Sequence, residues 1–311
     1  MHLLIILRLR MGESPVMTKE TLKVPATAAV IAWLVLCLLS GPFLSGQEAP
    51  AAAVPEVGQE GSGLAAYRSN FLKDEAEMWT TPFHLDGKGL LAFGAALAAT
   101  GLLIANDEAI YKEFKAFQAG HSWADKASPA LTLLGDWGLD CGVAGVFFLG
   151  GVLARDRRAR DTGLMAWETL LHTGLLVQVA KHLSGRQRPS VADGSDHWHG
   201  PAAFFKRYGG YFSNYDSFFS GHTVSAWGLA TVIAENYRHR SWVPPLCYGL
   251  ATLAGLSRLT EDAHWLSDVF LGAAIGYAVG KMVVRNQRRR LQVTPAFTPA
   301  GAGLSLRLFV D

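Results

Sequence analysis

Six apolar segments rich in glycine and alanine follow one another from residue 89 to residue 284: Gly89–Ala105, Leu131–Ala154, Gly163–Ala180, Thr223–Ala234, Val243–Ser257 and Val269–Val284. Runs of this length with little β-branched alternation form helices, not strands. Such helices must bury their sides against one another or in lipid. Half of the 311 residues are apolar and only 17% are charged, below the roughly 25% usual in soluble domains. A mean hydropathy of +0.18 lies between a globular and a densely membrane-embedded chain. The expected fold class is therefore all-α, a helical bundle embedded in or associated with a membrane. After Arg290 the period changes: Leu304, Leu306, Leu308 and Val310 alternate with Ser305, Arg307 and Phe309. A period of two predicts a short β-like tail, a terminal hairpin built from Leu291–Phe297 and Gly303–Phe309.

A formal charge of +2 exerts no overall pull on nucleic acid, so no nucleic-acid partner is expected. Cys37, Cys141 and Cys247 each lie in an apolar stretch and form no CxxC pair, which makes them small buried hydrophobes. Lys19 and Lys23 precede an apolar run to Leu39, then Ser40-Gly41-Pro42 and small residues to Gly46, a pattern of export. Residues 1–46 read as a signal peptide or an uncleaved signal anchor. Residues 47–80 form a linker and N-terminal extension, because Gln47 to Gly63 is rich in Ala, Pro, Gly and Glu. Residues 81–286 make the helical domain, and 287–311 the tail.

The basic loops carry topology. Arg155–Arg160, Arg238-His239-Arg240 and Arg285 with Arg288-Arg289-Arg290 fall at the same end of consecutive helices. That is a positive-inside pattern and puts the opposite ends outside. Several segments are short or polar for a bilayer core, which needs about 20 apolar residues, so a soluble bundle is the second reading. If Gly89–Ala105 crosses, its start lies inside, whereas an export signal leaves Gln47 onward outside. Packing on the bundle without crossing reconciles the two, with an uncleaved N-terminal segment supplying a sixth span.

Three polar clusters interrupt the last half of the chain. Lys181 is followed six residues on by Arg188-Pro189, with Arg186 between; both cations suit phosphate oxygens. Ser220-Gly221-His222 opens a helix, where a Ser cap, a Gly and free backbone amides attract an anion. His222 there can titrate near neutral pH and pass a proton. Ser257-Arg258 precedes His264 and Asp268, which stand at i and i+4 on one helical face. A carboxylate bonded to one imidazole nitrogen would leave the other free to attack. Singly, the clusters have plainer readings: interfacial basic residues, a capped helix, a surface ion pair.

Together, the order Lys-x6-Arg-Pro, Ser-Gly-His, Ser-Arg-x5-His-x3-Asp resembles the three-part signature of the type 2 phosphatidic acid phosphatase superfamily, over roughly residues 163–284. Phe219 departs from it, standing where the family usually has Pro. The resemblance implies a metal-independent phosphatase with no cofactor. In it Lys181, Arg188 and Arg258 clamp the phosphoryl oxygens, with Ser220 and the Gly221 amide completing the cradle. His264 attacks phosphorus and becomes a phosphohistidine, Asp268 orients it, and His222 protonates the leaving oxygen. The substrate is expected to be a phosphorylated lipid or a small phosphoester, met at the periplasmic face of a bacterial inner membrane. A soluble periplasmic acid phosphatase is the alternative. Vanadium haloperoxidases share the fold but generally carry one more residue between the Lys and the Arg-Pro. A non-enzymatic membrane scaffold is disfavoured by the intact charged positions. The aromatic loop Ser190–Phe219 reads either as a lid over the site or as a loop burying its own rings. His197 and His199 alone make no metal site.

Overall fold

The computed structural model describes residues 64–191, 196–205, 214–298 and 301–306. The export segment, the linker through Gly63 and residues 206–213 of the aromatic loop lie outside the described residues. Helices dominate: α1 Leu64–Thr80, α2 Gly87–Ile104, α3 Asp107–Gly120, α4 Trp123–Thr132, α5 Trp137–Ala154, α6 Arg157–Ser184, the single turn α7 Ala202–Phe205, α8 Gly221–Asn236, α9 Val243–Thr260 and α10 Leu266–Gln292. The predicted hairpin is present as β1 Val293–Thr298 and β2 Gly301–Leu306, antiparallel with Val293 opposite Leu306.

Acidic caps set several boundaries that the apolar pattern blurs. The expected segment Leu131–Ala154 is broken, because Asp136 caps α5 by accepting from the Leu139 amide and so ends the α4 turn before it. Asp156 caps α6 in the same way, which starts that helix six residues before the predicted Gly163. Helices α1, α3 and α4 carry too many polar residues to show as apolar segments.

Helix α8 is the axis of the bundle, buried along almost its whole length. The main core joins Phe147 of α5, Met165 of α6, Val232 of α8 and Val283 of α10. Close packing of α8 on α10 depends on Gly272, Gly276 and Gly280, spaced every four residues. A Cβ at Gly276 would come 2.5 Å from the Val224 carbonyl oxygen, and one at Gly280 2.8 Å from Thr231 Cβ. Small residues at this spacing let two backbones approach as they do in membrane helix pairs.

Helices α2, α5 and α10 are long and apolar enough to cross a membrane. Their outer sides fit lipid: Leu91 is 75% exposed on α2 and Leu153 84% on α5. Apolar side chains exposed along such helices suit a lipid or partner surface.

Candidate active site

The three sequence clusters meet where α6 ends, α8 begins and α9 hands over to α10. Gly185 ends α6 in the left-handed region, φ +53, and a Cβ there would strike the Gly200 carbonyl, so glycine is required twice over. The turn leaves Lys181 in the last turn of α6 and throws Arg186 and Arg188 into the loop. Backbone bonds then tie that loop to its neighbours: Arg188 N to Asn214 O at 2.9 Å, Ser217 N to Arg186 O at 3.0 Å, and Ser190 N to Asp262 O at 2.9 Å.

His264 lies in the turn before α10, 2% exposed. Its Nδ1 is 2.7 Å from the Ser217 carbonyl oxygen. A carbonyl only accepts, so Nδ1 carries the proton and Nε2 keeps its lone pair. This corrects the expected direct bond from Asp268, whose Oδ2 is 3.7 Å from Nδ1. Asp268 is engaged elsewhere: Oδ2 accepts from Ser217 Oγ at 2.6 Å and the Trp265 amide at 3.0 Å, and Oδ1 from Arg186 at 2.6 Å. Ser217 is therefore the bridge, with its hydroxyl on Asp268 and its carbonyl on His264. Burial holds the His264 imidazole down to about 4; Asp268 opposes this, while Arg188 and Lys181 add to it.

Arg186, noted in the sequence but given no task, is the hub. It is fully buried and donates to Asp268, to Ser267 Oγ at 2.7 Å, to Asp107 at 2.7 Å and to Asp196 at 2.9 and 2.6 Å. Trp198 lies over its guanidinium at 4.7 Å. Three carboxylates raise its pKa despite burial, so its charge is permanent. Asp107 stands 79 residues upstream of Arg186, at the start of α3, and no local pattern could have connected them.

Lys181 and Arg188 share a second carboxylate that sequence reading missed. Asp216 accepts from Arg188 Nε at 2.7 Å and lies 3.2 Å from Lys181 Nζ. Burial raises its pKa, but the Arg188 bond and the Lys181 charge more than offset this and hold it below the usual carboxylate range. Its only sequence signal was its place directly before Ser217, within six residues of His222.

Arg258, 7% exposed, bonds Thr132 Oγ1 at 3.0 Å and Glu261 at 2.7 Å, so α4 braces it. His222 sits one residue into α8, and the charges of Arg258, Lys181 and Arg188 all reach it, as does Asp136. Gly135 packs so tightly on the His222 backbone that a Cβ there would strike its carbonyl. Ser220 is fully buried, and its hydroxyl caps α8, receiving Thr223 N at 3.3 Å and Thr223 Oγ1 at 2.9 Å; it is engaged within the helix start. Gly221 has room for a Cβ, with Val177 at 3.5 Å, so sterics there do not demand glycine. Phe219 is 3% exposed and packs with Val177 and Val224. Within the described part of the aromatic loop the rings pack on one another, the half-exposed Trp198 against Phe218 at 5.1 Å and Tyr215 against His199 at 4.9 Å.

A buried imidazole with a fixed tautomer thus stands next to three cations and a helix N-terminus, an arrangement that suits an anionic phosphoryl group. A sequence profile described as the PAP2 superfamily matches residues 163–292, the stretch that carries all three clusters.

Among individual proteins, a "Lipid A 1-phosphatase" of Porphyromonas gingivalis is 29% identical over 201 residues, covering 63% of this chain. The match spans 38% of that relative's own length. Among solved structures, the crystal structure of "the first transmembrane PAP2 type phosphatidylglycerolphosphate phosphatase from Bacillus subtilis" is 22% identical with a TM-score of 0.48, over 64% of this chain and 94% of that one.

Proposed function

We propose that the protein is a membrane-embedded lipid-phosphate phosphatase that works through a phosphohistidine on His264. The observation that carries this is the bond from His264 Nδ1 to the Ser217 carbonyl, which leaves Nε2 unprotonated beside Lys181 and Arg188. His264 Nε2 attacks phosphorus, the bond to the ester oxygen breaks, and His222 gives that oxygen its proton. Water then attacks the phosphoryl group, His222 takes the water's proton back, and the P–N bond breaks to release phosphate. Asp268 stabilises the charge on the ring through Ser217 and at 3.7 Å.

Lys181, Arg188 and Arg258 neutralise the phosphoryl oxygens, with the Gly221 amide completing the cradle. A loose phosphoryl transition state asks for charge and alignment, and these cations meet that demand without a metal at the phosphate. Asp216 bridges Lys181 and Arg188, so an arriving phosphate takes over ion pairs that this carboxylate holds in its absence.

The substrate class is a phosphorylated lipid, with a glycolipid 1-phosphate of the lipid A kind tested first. The reading rests on the apolar exterior and on the relative that carries that name. The site faces the periplasm from the inner membrane, because the arginine-rich ends lie opposite it. Residues 81–286 form the phosphatase domain, behind an export segment and a linker.

The deciding experiment compares purified wild type and His264→Ala on lipid A in detergent micelles. Wild type should release phosphate, be inhibited by vanadate and form an acid-labile phosphoenzyme. His264→Ala should do none of these. Equal phosphate release by both would remove His264 as nucleophile; activity on soluble phosphoesters with none on lipids would remove the substrate class.

A further inference from the structure

Away from the phosphate site, α1, α6 and α10 enclose a second cluster of titratable groups that the mechanism does not use. Glu168 and His172 stand at i and i+4 on α6, and Asp74 reaches them from α1. One donor atom from each of Asp74, Glu168 and His172 lies within 4.8 Å of the other two, and all three residues are buried. His172 is fully buried and its Nε2 has no hydrogen-bond partner; Glu168 Oε1 is 3.9 Å from it. The other ring nitrogen is committed, since His172 Nδ1 bonds Glu75 Oε2 at 2.5 Å. Phe71 stacks on the ring at 4.4 Å and holds its plane. Asn286 of α10 donates to Asp74 Oδ1 at 2.9 Å and to Glu77 at 2.7 Å.

We infer that Asp74, Glu168 and His172 bind a divalent cation of the zinc type, which fastens α1 to the bundle. The second observation, beyond the acidic groups, is the imidazole. A carboxylate on Nδ1 fixes the tautomer that turns a bare Nε2 toward the other two residues, the arrangement that metal-bound histidines show. One imidazole with two carboxylates suits Zn²⁺, with its fourth position left to water. Donors about 2.0–2.2 Å from a tetrahedral ion stand roughly 3.4 Å apart, so binding draws His172 Nε2 and Glu168 Oε1, 3.9 Å apart, slightly closer. The electrostatics favour it as well: the carboxylates of Asp74, Glu75 and Glu168 outnumber the one imidazole, and buried carboxylates gather either a proton or a cation.

The site is separate from the phosphate cradle. Lys181 lies nine residues beyond His172 on α6, about 14 Å along the helix axis. The inference does not depend on the phosphatase reading.

The test uses the full chain purified in detergent without chelator. Elemental analysis should find about one zinc per chain. Stripping it with a strong chelator should lower the thermal midpoint, and Zn²⁺ should restore it. Co²⁺ added to the stripped protein should give the visible bands of a four-coordinate site. His172→Asn keeps a donor for Glu75 and deletes the Nε2 ligand; it should lose the zinc, the cobalt bands and the zinc-dependent thermal shift. Glu168→Gln supplies the same reading if the first variant does not fold. His264→Ala should keep all three, whatever it does to phosphate release. Wild type with no zinc and no cobalt bands at saturating Co²⁺ overturns the inference. Full zinc in His172→Asn or Glu168→Gln overturns it too, as an adventitious metal.

Discussion

Arg186 joins residues that the sequence keeps far apart, and its neighbours fix what its loss would do. Asp107, Asp196 and Asp268 all depend on one guanidinium. Removing one partner of a buried ion pair leaves uncompensated charge and costs about 3–5 kcal/mol. Arg186→Met should therefore lower the thermal midpoint severely. Arg186→Lys, which keeps the charge but loses the planar fork, should fall between. Because Arg186 is fully buried and bonds Asp268, the lysine variant should lose kcat with KM nearly unchanged. A KM effect alone would contradict this arrangement. The second residue-scale prediction concerns pH. The His264 imidazole falls from the usual 6.5 to about 4 in the fold. Between those values the unfolded chain binds a proton that the folded chain refuses, so stability rises with pH across the window. The His264 contribution is complete above pH 6.5 and is lost as pH falls toward 4. His264→Gln should show a flatter stability profile over that range, measured by thermal midpoint.

At the scale of elements, the six apolar segments were legible because their composition is written in one stretch each. Their ends were not: Asp136 and Asp156 read as interruptions, yet both are caps. Helices α1, α3 and α4 escaped notice because their polar faces contact other polar groups, such as Lys115 with Asp262 at 2.9 Å. In the candidate site, Lys181, Arg188, His222, Arg258, His264 and Asp268 fall in three clusters whose order could be read, and the fold brings those clusters to one end of the bundle. Asp216, Ser217 and Arg186 could not, because only the tertiary fold gives them partners. The glycine stripe of α10 was visible in sequence and gave no sign of what it faced. A Cβ at Gly276 would lie 2.5 Å from backbone oxygen, which cannot move aside as a side-chain tip can. Gly276→Ala should force α8 and α10 apart, at a cost of about 1–3 kcal/mol, and should shift His222 at the head of α8. Gly142, with nothing within 4 Å of its would-be Cβ, is the control, and Gly142→Ala should lose neither stability nor activity. Equal effects at both positions would mean that helix propensity, not backbone approach, governs the stripe.

For the whole molecule, length and polarity together decide orientation. Helix α6 has 28 residues and α10 has 27, each about 40 Å long at 1.5 Å per residue. That exceeds the roughly 30 Å hydrocarbon core, so α10, which is also apolar enough to cross, can carry one end into each headgroup region with α6 packed beside it. The cation cradle lies at one end of both. The opposite end carries Arg157, Arg158 and Arg160 at the start of α6, with Arg285 and Arg288–Arg290 late in α10. In the proposed orientation these arginines stay on the cytoplasmic side and the cradle faces outside. Two single-cysteine proteins test this after Cys37, Cys141 and Cys247 are replaced by alanine. One carries Trp198→Cys, at a position 43% exposed beside the site; the other carries Arg238→Cys, at an exposed position just past the far end of α8. In cells with a permeabilised outer membrane, a membrane-impermeant maleimide should label the first and spare the second until the inner membrane is broken. Labelling of Arg238→Cys alone would invert the topology and turn the site toward the cytoplasm. Labelling of both in intact spheroplasts would mean that the helices do not cross. Recovery of the protein in the membrane fraction after carbonate washing is the companion result, because a bundle with Leu91 and Leu153 facing outward stays in lipid when peripheral proteins are stripped away.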